Sequence, residues 1–513
     1  MRTRLPAAIA GLAAVGLVLG LTELVALLVD GMPSLVTSVG SLVVPVTPPP
    51  VKDWAIEVFG TSDKGALAIG TVVITLAVGA AAGIRGLWDR STAAVLVAAF
   101  TGVGLFAALM QPLASGPVVL VVTLGAAVLV WVVLRAAWAL VESGADVPGL
   151  PGAPTGDPRD PGVARRRFLG LVGGVGTVAV ASAVGARLGQ PSTTATATPL
   201  SLPDPRRQLP RPSPAASFDV TGLTPLHVPN DDFYRIDTAL SVPRIDASRW
   251  RLRIHGMVDR EVELTYADLL ERSFVEQDVT IACVSNKVGD DLVGNARWLG
   301  TPLRDLLEEA GVRDGATQVV GRAIDGWTAG FPTEAALDGR DAMVVVGMNG
   351  EPLPPNHGFP ARLIVPGLYG YVSATKWLTE IELTTWDGFD AYWVPRGWSK
   401  EGPIKTQSRI DVPNDGADVT AGEVVVAGVA WAPTRGIDRV EVRLDDGAWQ
   451  EAELTEPLSP DAWVQWRTTV DVPSGGHVLQ VRATDGDGGT QPPGPVPPRP
   501  DGAEGWHQVT VRA

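Results

Sequence analysis

VTIACVSNKVGDDLVGNARWLGTPLRDLL, residues 279–307, contains the one cysteine of the chain, in the run Thr280-Ile281-Ala282-Cys283-Val284-Ser285-Asn286-Lys287. A single cysteine in 513 residues excludes an internal disulfide, a thiolate zinc site and a Cys-x-x-Cys-His haem attachment. Such a lone thiol is either a reactive thiolate, or one protein ligand to a metal whose other ligands come from a cofactor, or a small buried hydrophobe. Just beyond it, Pro302 to Ala310 reads as a helix closed by Gly311.

Outward from this stretch the pattern is globular. Trp250 to Gly256 and Val262 to Leu264 alternate as strands, and Tyr266 to Glu271 reads as a short helix capped by Thr265. Ala342 to Val346 and Leu363 to Val365 are apolar runs expected as buried strands. Residues 218–410 are therefore expected to form a mixed α+β domain rich in loops, which is where sites sit. From about residue 411 the text changes. Glu423 to Trp431, Asp438 to Leu444 and Val478 to Ala483 alternate, and Asp445-Asp446-Gly447 supplies a hairpin turn. Residues 411–513 predict an all-β immunoglobulin-like sandwich.

The N-terminal part has a different solvent. Hydrophobic residues make up 46% of the chain, and the excess lies before residue 141, in four runs: Leu5–Val29, Ala66–Leu87, Ala93–Met110 and Pro117–Leu140. Each approaches or exceeds the ~20 residues needed to cross a bilayer, so residues 1–141 are expected to form four transmembrane helices. Residues 142–163 read as a Pro/Gly-rich cytoplasmic linker. A fifth, weaker helix is expected over 164–189, where Arg165-Arg166-Arg167-Phe168-Leu169 resembles a twin-arginine export signal or an ordinary stop-transfer flank. Arginines at 2, 4, 85, 90 and 165–167 place the N-terminus in the cytoplasm and everything after residue 190 outside. Residues 190–217, rich in Pro, Ser, Thr and Ala, read as an extended tether. A net charge of −15 argues against nucleic-acid binding. All five histidines follow residue 226, so no transmembrane run offers a haem ligand pair.

Val279 to Leu307 resembles the cofactor loop of the sulfite oxidase family of molybdopterin-dependent oxidoreductases, which also contains periplasmic methionine-sulfoxide reductases. Phe233-Tyr234-Arg235-Ile236-Asp237, Gly347 to Pro354, His357 to Arg362, Lys376-Trp377 and, near the C-terminus, Gly428 to Trp431 and Trp506-His507 resemble further segments in family order. The resemblance covers about residues 225–513 and makes residues 218–410 a molybdopterin-binding domain and residues 411–513 a dimerisation-type domain. It implies that Cys283 ligates molybdenum, that Arg235 lies beside the metal, and that His357, Arg362 and Lys376 hold the phosphate of molybdopterin. Tyr234, Asp237, Ser285 and Asn286 then belong to the cofactor surround, and Trp398 stands where relatives carry an active-site tyrosine. Arg435 aligns loosely with an arginine that approaches the metal from the C-terminal domain. A thiolate is a soft ligand suited to such a metal, and a dianionic phosphate wants charge-assisted donors.

Departures from the family matter for substrate. Lys287 and Val288 occupy positions where animal sulfite oxidases carry sulfite-binding arginines, Asp237 replaces a family histidine, and Asp290-Asp291 adds negative charge. The expectation is a multi-pass membrane oxidoreductase with its catalytic domains outside the cell membrane. It would use molybdenum–molybdopterin to move an oxygen atom to or from a small substrate. No haem, flavin or iron–sulfur motif is present, so electrons would pass to a separate partner, a cytochrome or a quinone-linked protein. A homodimer, a sulfoxide-type reductase, and a non-catalytic membrane-tethered binding protein are the further readings.

Overall fold

The computed structural model describes residues 4–48, 63–142 and 201–513, with isolated positions at 51, 54, 55, 58, 59, 170, 173–175 and 177. The chain forms two compact units, the N-terminal helices and almost everything from Thr196 onward. Helices α1 (Arg4–Leu28), α2 (Leu35–Val46), α3 (Asp63–Arg85), α4 (Arg90–Leu109) and α5 (Gly116–Glu142) build the first unit. Among the described residues, four of these, all but α2, are long and apolar enough to cross a membrane. The sequence pattern did not reveal α2, whose 12 residues are too few to span. Its N-terminus explains Glu23, an acid inside an apolar run. The Glu23 carboxylate accepts from Ser34 Oγ at 2.9 Å and from the Val36 amide at 3.4 Å, which places negative charge at the positive end of a helix. Small residues let α1 and α3 touch: a Cβ on Gly11 would lie 2.0 Å from the Gly79 carbonyl oxygen. The linker expected over 142–163 and the fifth helix with its twin-arginine-like motif lie outside the described residues, apart from Glu142 and the isolated positions.

The second unit opens with residues 201–238, largely without regular structure. The described half of the expected tether is fastened to the domain rather than free. The Arg206 amide donates to the Phe274 carbonyl, the Leu209 amide to the Glu276 carboxylate, and Ser213 Oγ to Glu456.

The expected α+β domain contains β1 (Arg251–Gly256), β2 (Val262–Thr265), α6 (Tyr266–Leu270), β3 (Val275–Ala282), β4 (Val293–Pro302), α7 (Leu303–Ala310), β5 (Gln318–Ala323), β6 (Thr328–Pro332), α8 (Glu334–Leu337), β7 (Met343–Met348), β8 (Glu351–Pro352), β9 (Arg362–Ile364), α9 (Gly370–Ser373) and β10 (Leu378–Thr384). Thr265 caps α6 in a reciprocal box with Asp268, and Gly311 ends α7 at φ +71°. One sheet runs β2-β1-β10-β5-β6, with β1 and β10 parallel; the other runs β3-β4-β7-β8, with β9 on β7. Val279, Ile281, Trp298, Val345 and Ile364 pack the core of this second sheet.

The C-terminal domain is all β: β11 (Gln407–Val412), β12 (Ala417–Asp418), β13 (Gly422–Trp431), β14 (Ile437–Leu444), β15 (Gln450–Glu451), β16 (Glu453–Leu454), β17 (Val464–Val472), β18 (Gly476–Asp485) and β19 (His507–Arg512). Two sheets, β11-β13-β17-β16 and β12-β19-β18-β14-β15, close on one core that includes Val426 and Trp466 from one side and Val440, Leu479 and Val481 from the other. The expected turn is present, with Asp445 at φ +49° between β14 and β15.

The two domains of this unit are sewn together along β3. Trp463 is fully buried; its indole nitrogen donates to the Leu226 carbonyl and its amide to Thr280 Oγ1, each at 2.8 Å. A tryptophan buried this fully contributes roughly 4–6 kcal/mol of apolar burial as an upper bound. Beside it Asp278, 1% exposed, accepts from Arg297 at 2.8 and 2.9 Å and from His227 at 2.8 Å. Burial pushes this carboxyl up, but the His227 and Arg297 hydrogen bonds outweigh it and hold it below the usual range. A carboxyl lowered in the fold stabilises above its unfolded pKa, about 3.9, and that contribution is lost as pH falls through the folded value. Replacing Asp278 by Ala strands the Arg297 guanidinium and is expected to cost about 3 kcal/mol, measured by denaturant unfolding at pH 7. The deficit relative to wild type should shrink as the same titration is taken below about pH 4.

Candidate active site

Strand β3 ends at Ala282 and delivers Cys283 to the wall of a cavity. Residues 283–292 return the chain to β4 through a loop closed on itself. The Cys283 amide donates to the Leu292 carbonyl at 2.9 Å, the Asn286 amide to the Cys283 carbonyl at 3.0 Å, and the Leu292 amide to Asn286 Oδ1 at 2.8 Å. Asn286 thus fastens the loop and does not line the cavity, whereas Ser285 does. The C-terminal domain holds the far side of the loop. Arg409 donates to the Asp290 carbonyl at 3.0 Å, and a Cβ on Gly289, at φ +86°, would fall 2.2 Å from His507 Cδ2. Cys283 is 8% exposed, and burial pushes its thiol up while hydrogen bonds with Ser285 work the other way.

Two cationic side chains, Arg362 and Lys376, line the cavity with the cysteine, and His357 lies behind them outside the lining. Arg362, 3% exposed, starts β9; one guanidinium nitrogen donates to the His357 carbonyl at 3.1 Å and the group lies 5.2 Å from the Trp298 ring centre. Its Nε has no hydrogen-bond partner. Lys376 donates from Nζ to Asp237 at 3.0 Å and to the Asn356 carbonyl at 3.2 Å. His357, 4% exposed, sets Nε2 2.7 Å from the Asn230 carbonyl, which makes that nitrogen the donor, and packs edge-on to Phe233. Burial lowers all three: Arg362 to about 10, Lys376 to about 8 despite Asp237, and His357 to about 4 with the help of its cationic neighbours. Gly358 makes the close approach possible, since at φ +114° its missing Cβ would meet the Lys376 backbone at 3.0 Å. Trp377 follows in the left-handed region, φ +51°, held by its indole donating to the Pro355 carbonyl.

Two expected residues, Arg235 and Arg435, stand outside the cavity lining. Arg235 does not line the cavity; it is half-exposed and donates to Asp237 at 2.9 Å. It is Asp237, the carboxylate shared with Lys376, that faces the cavity. Arg435 is held by Asp485 at 2.9 Å and by the Ile404 carbonyl, and stays away from the cavity wall. Tyr234 does line the wall, its ring stacked on Phe233 and its hydroxyl pushed up by burial and by the neighbouring thiol.

Part of the cavity wall is aromatic. Trp398, Trp393 and Tyr371 interlock, with ring centres 6.4 Å apart for the two tryptophans and 6.0 Å for Tyr371 and Trp398. The same rings pack against Ile404, Trp431 and Trp463 at the junction of the two domains, so they serve both as domain interface and as cavity wall. Asp325 and Trp327, in the β5–β6 turn, complete the lining. Sequence reasoning missed both, because Asp325-Gly326-Trp327 reads only as a hairpin turn.

A buried guanidinium with an orphan Nε, beside a buried ammonium, fits an anion with several acceptor oxygens such as a phosphate. The Cys283 thiol on the same cavity wall is of a type that can ligate a soft metal. Family models match in both domains: the oxidoreductase molybdopterin-binding domain over residues 239–393 and the Mo-co oxidoreductase dimerisation domain over residues 402–512. Sulfite oxidase of Gallus gallus is 30% identical over 322 residues, 52% of this chain and 69% of that protein. The mitochondrial sulfite oxidase of Rattus norvegicus is 28% identical over 342 residues, 56% of this chain and 62% of that protein. An uncharacterized oxidoreductase of Bacillus subtilis is 34% identical over 157 residues, 31% of this chain and 76% of that protein. The chain thus spans about six tenths of the length of the rat relative. With the thiol, the buried cations and both domain models in one unit, the chain belongs to the sulfite oxidase family of molybdopterin-dependent oxidoreductases.

Proposed function

We propose that this protein is a membrane-anchored, extracytoplasmic oxidoreductase that moves an oxygen atom to or from a small substrate and exchanges electrons with a separate partner. The observation that carries the site assignment is the orphan Nε of buried Arg362 on the same cavity wall as Cys283. Cys283 would ligate the metal as a thiolate, since coordination removes the proton that burial otherwise retains. Arg362 and Lys376 would bind the molybdopterin phosphate. His357 would join them through Nδ1, because Nε2 is committed to Asn230, and the dianion would restore the proton that burial removes. Arg235 acts as a positioning residue: it shares Asp237 with Lys376 and so orients the ammonium. When bound, the cofactor supplies a molybdenum that changes oxidation state by two electrons as an oxygen atom is transferred. Trp398, Trp393 and Tyr371 exclude water from the substrate side of the cavity.

The four apolar helices support a membrane anchor, and the arginine distribution supports an outward-facing body. The dimerisation-domain match supports a homodimer built through an immunoglobulin-like sandwich. Matured in a host that makes molybdopterin, the wild-type chain should carry roughly one molybdenum per chain, and Cys283→Ser should lose most of it, by elemental analysis. A metal-free wild type from such a host sinks the assignment. Arg362→Met should lower bound molybdopterin at least about tenfold, roughly the worth of one charge-assisted contact. In the cofactor-free protein the same substitution should leave the unfolding midpoint unchanged or raised, because it removes an uncompensated buried charge.

A further inference from the structure

We propose that Arg499 is a specificity-determining positioning residue: from the β18–β19 loop of the C-terminal domain it latches the turn that carries Trp398, and so limits the size of substrate that reaches Cys283. The inference rests on the reading of the cavity as the substrate site and adds what sets its width.

Trp393 and Trp398 line the cavity, and neither belongs to a sheet. The chain between them is a single 3-10 turn, Val394–Arg396, ended by Gly397 at φ +86°. So short a helix leaves its last carbonyls without partners of its own. Arg499 supplies them. Its guanidinium donates to the Arg396 carbonyl at 2.6 Å and to the Gly397 carbonyl at 3.4 Å. The next residue completes the clamp, for the Ser399 amide donates to the Pro500 carbonyl at 2.9 Å. The peptide groups on both sides of Trp398 are thus held by two consecutive residues of the other domain. Glycine at 397 permits this approach, since a Cβ there would lie 2.5 Å from a guanidinium nitrogen of Arg499.

The latch is itself anchored. Val496 and Glu504 exchange backbone hydrogen bonds at 2.8 and 3.3 Å. Lys405 pairs with Asp501 at 3.3 Å and with Glu504 at 2.9 Å. Gly502 sits against Tyr369, where a Cβ would fall 2.4 Å from the phenol oxygen. Trp398 is therefore carried on a short turn whose fixed point is a seated loop. Its ring touches Trp393, with centres 6.4 Å apart, so release of one loosens the other. The Arg499 side chain is exposed, so its loss opens no hole in the core.

Cys283 is the one cysteine of the chain, so in the full-length, cofactor-free protein every thiol modification reports on this cavity. N-ethylmaleimide and N-(1-pyrenyl)maleimide share one chemistry and differ in bulk. The ratio of their rates, pyrenyl over ethyl, cancels any change in thiolate fraction. Arg499→Ala should raise that ratio at least about fivefold, less than a charge-assisted contact is worth in full. Arg499→Lys, which keeps a donor but not the fork, should fall between the two. If Arg499→Ala does not fold, Gly397→Ala displaces the guanidinium from the other side and should raise the ratio as well. Arg467→Ala, which breaks an exposed pair with Glu453 in the same domain, should leave it unchanged. Equal acceleration of both reagents, an unchanged ratio in Arg499→Ala, or a ratio raised as far by Arg467→Ala overturns the proposal. Molybdenum is assayed on separately matured samples. A metal-free wild type overturns the redox reading and leaves the latch standing, and an unchanged ratio in a chain that loads molybdenum overturns the latch alone.

Discussion

Arg362 and Lys376 are held almost entirely out of water, with Asp237 the carboxylate between one of them and Arg235. Without another anion this arrangement is unfavourable: burial pushes the arginine, the lysine and His357 each toward their neutral forms. The surrounding fold is organised to hold that imbalance open. Gly358 brings β9 against Lys376, Trp377 takes a left-handed backbone, and Trp298 lays its ring beside the guanidinium. Protein interiors keep such strain where binding later relieves it. Under the proposed assignment the cofactor phosphate would be that relief, and apo and loaded forms should then differ in stability by more than their contacts alone suggest.

The Cys283 loop is held from two sides. β3 and β4 fix its ends, and Asn286 pins its middle. Its outer edge leans on the C-terminal domain through Arg409 and His507. The Trp463 and Asp278 contacts along β3 give this junction the character of a continuous core, and the aromatic cavity wall is the inner surface of the same junction.

Much of this was legible in the sequence, and what was not has physical reasons. The lone Cys283, the spacing of His357, Arg362 and Lys376, the Thr265 cap and the alternating C-terminal strands are local signals, readable within a dozen residues. Asp278 was not legible, because its partners His227 and Arg297 lie 51 and 19 residues away. Asp325 was hidden by its own turn, since Asp-Gly sequences are common at hairpins for reasons unrelated to chemistry. Helix α2 escaped because a 12-residue apolar run is neither a span nor clearly amphipathic. Arg235 was legible as a residue of interest, but its pairing was not: its partner Asp237 is the residue of the two that lines the cavity.

The contact between Gly289 and His507 has a consequence for how this architecture can change over time. The loop residue belongs to one domain and the ring to the other, and no side chain fits between them. The catalytic module and its β-sandwich are therefore not interchangeable parts. A sandwich grafted from a relative would have to bring a histidine-sized group to the same place, and a larger side chain at residue 289 would require a smaller one at residue 507. The two halves are expected to drift as a pair, with inheritance acting on the joint.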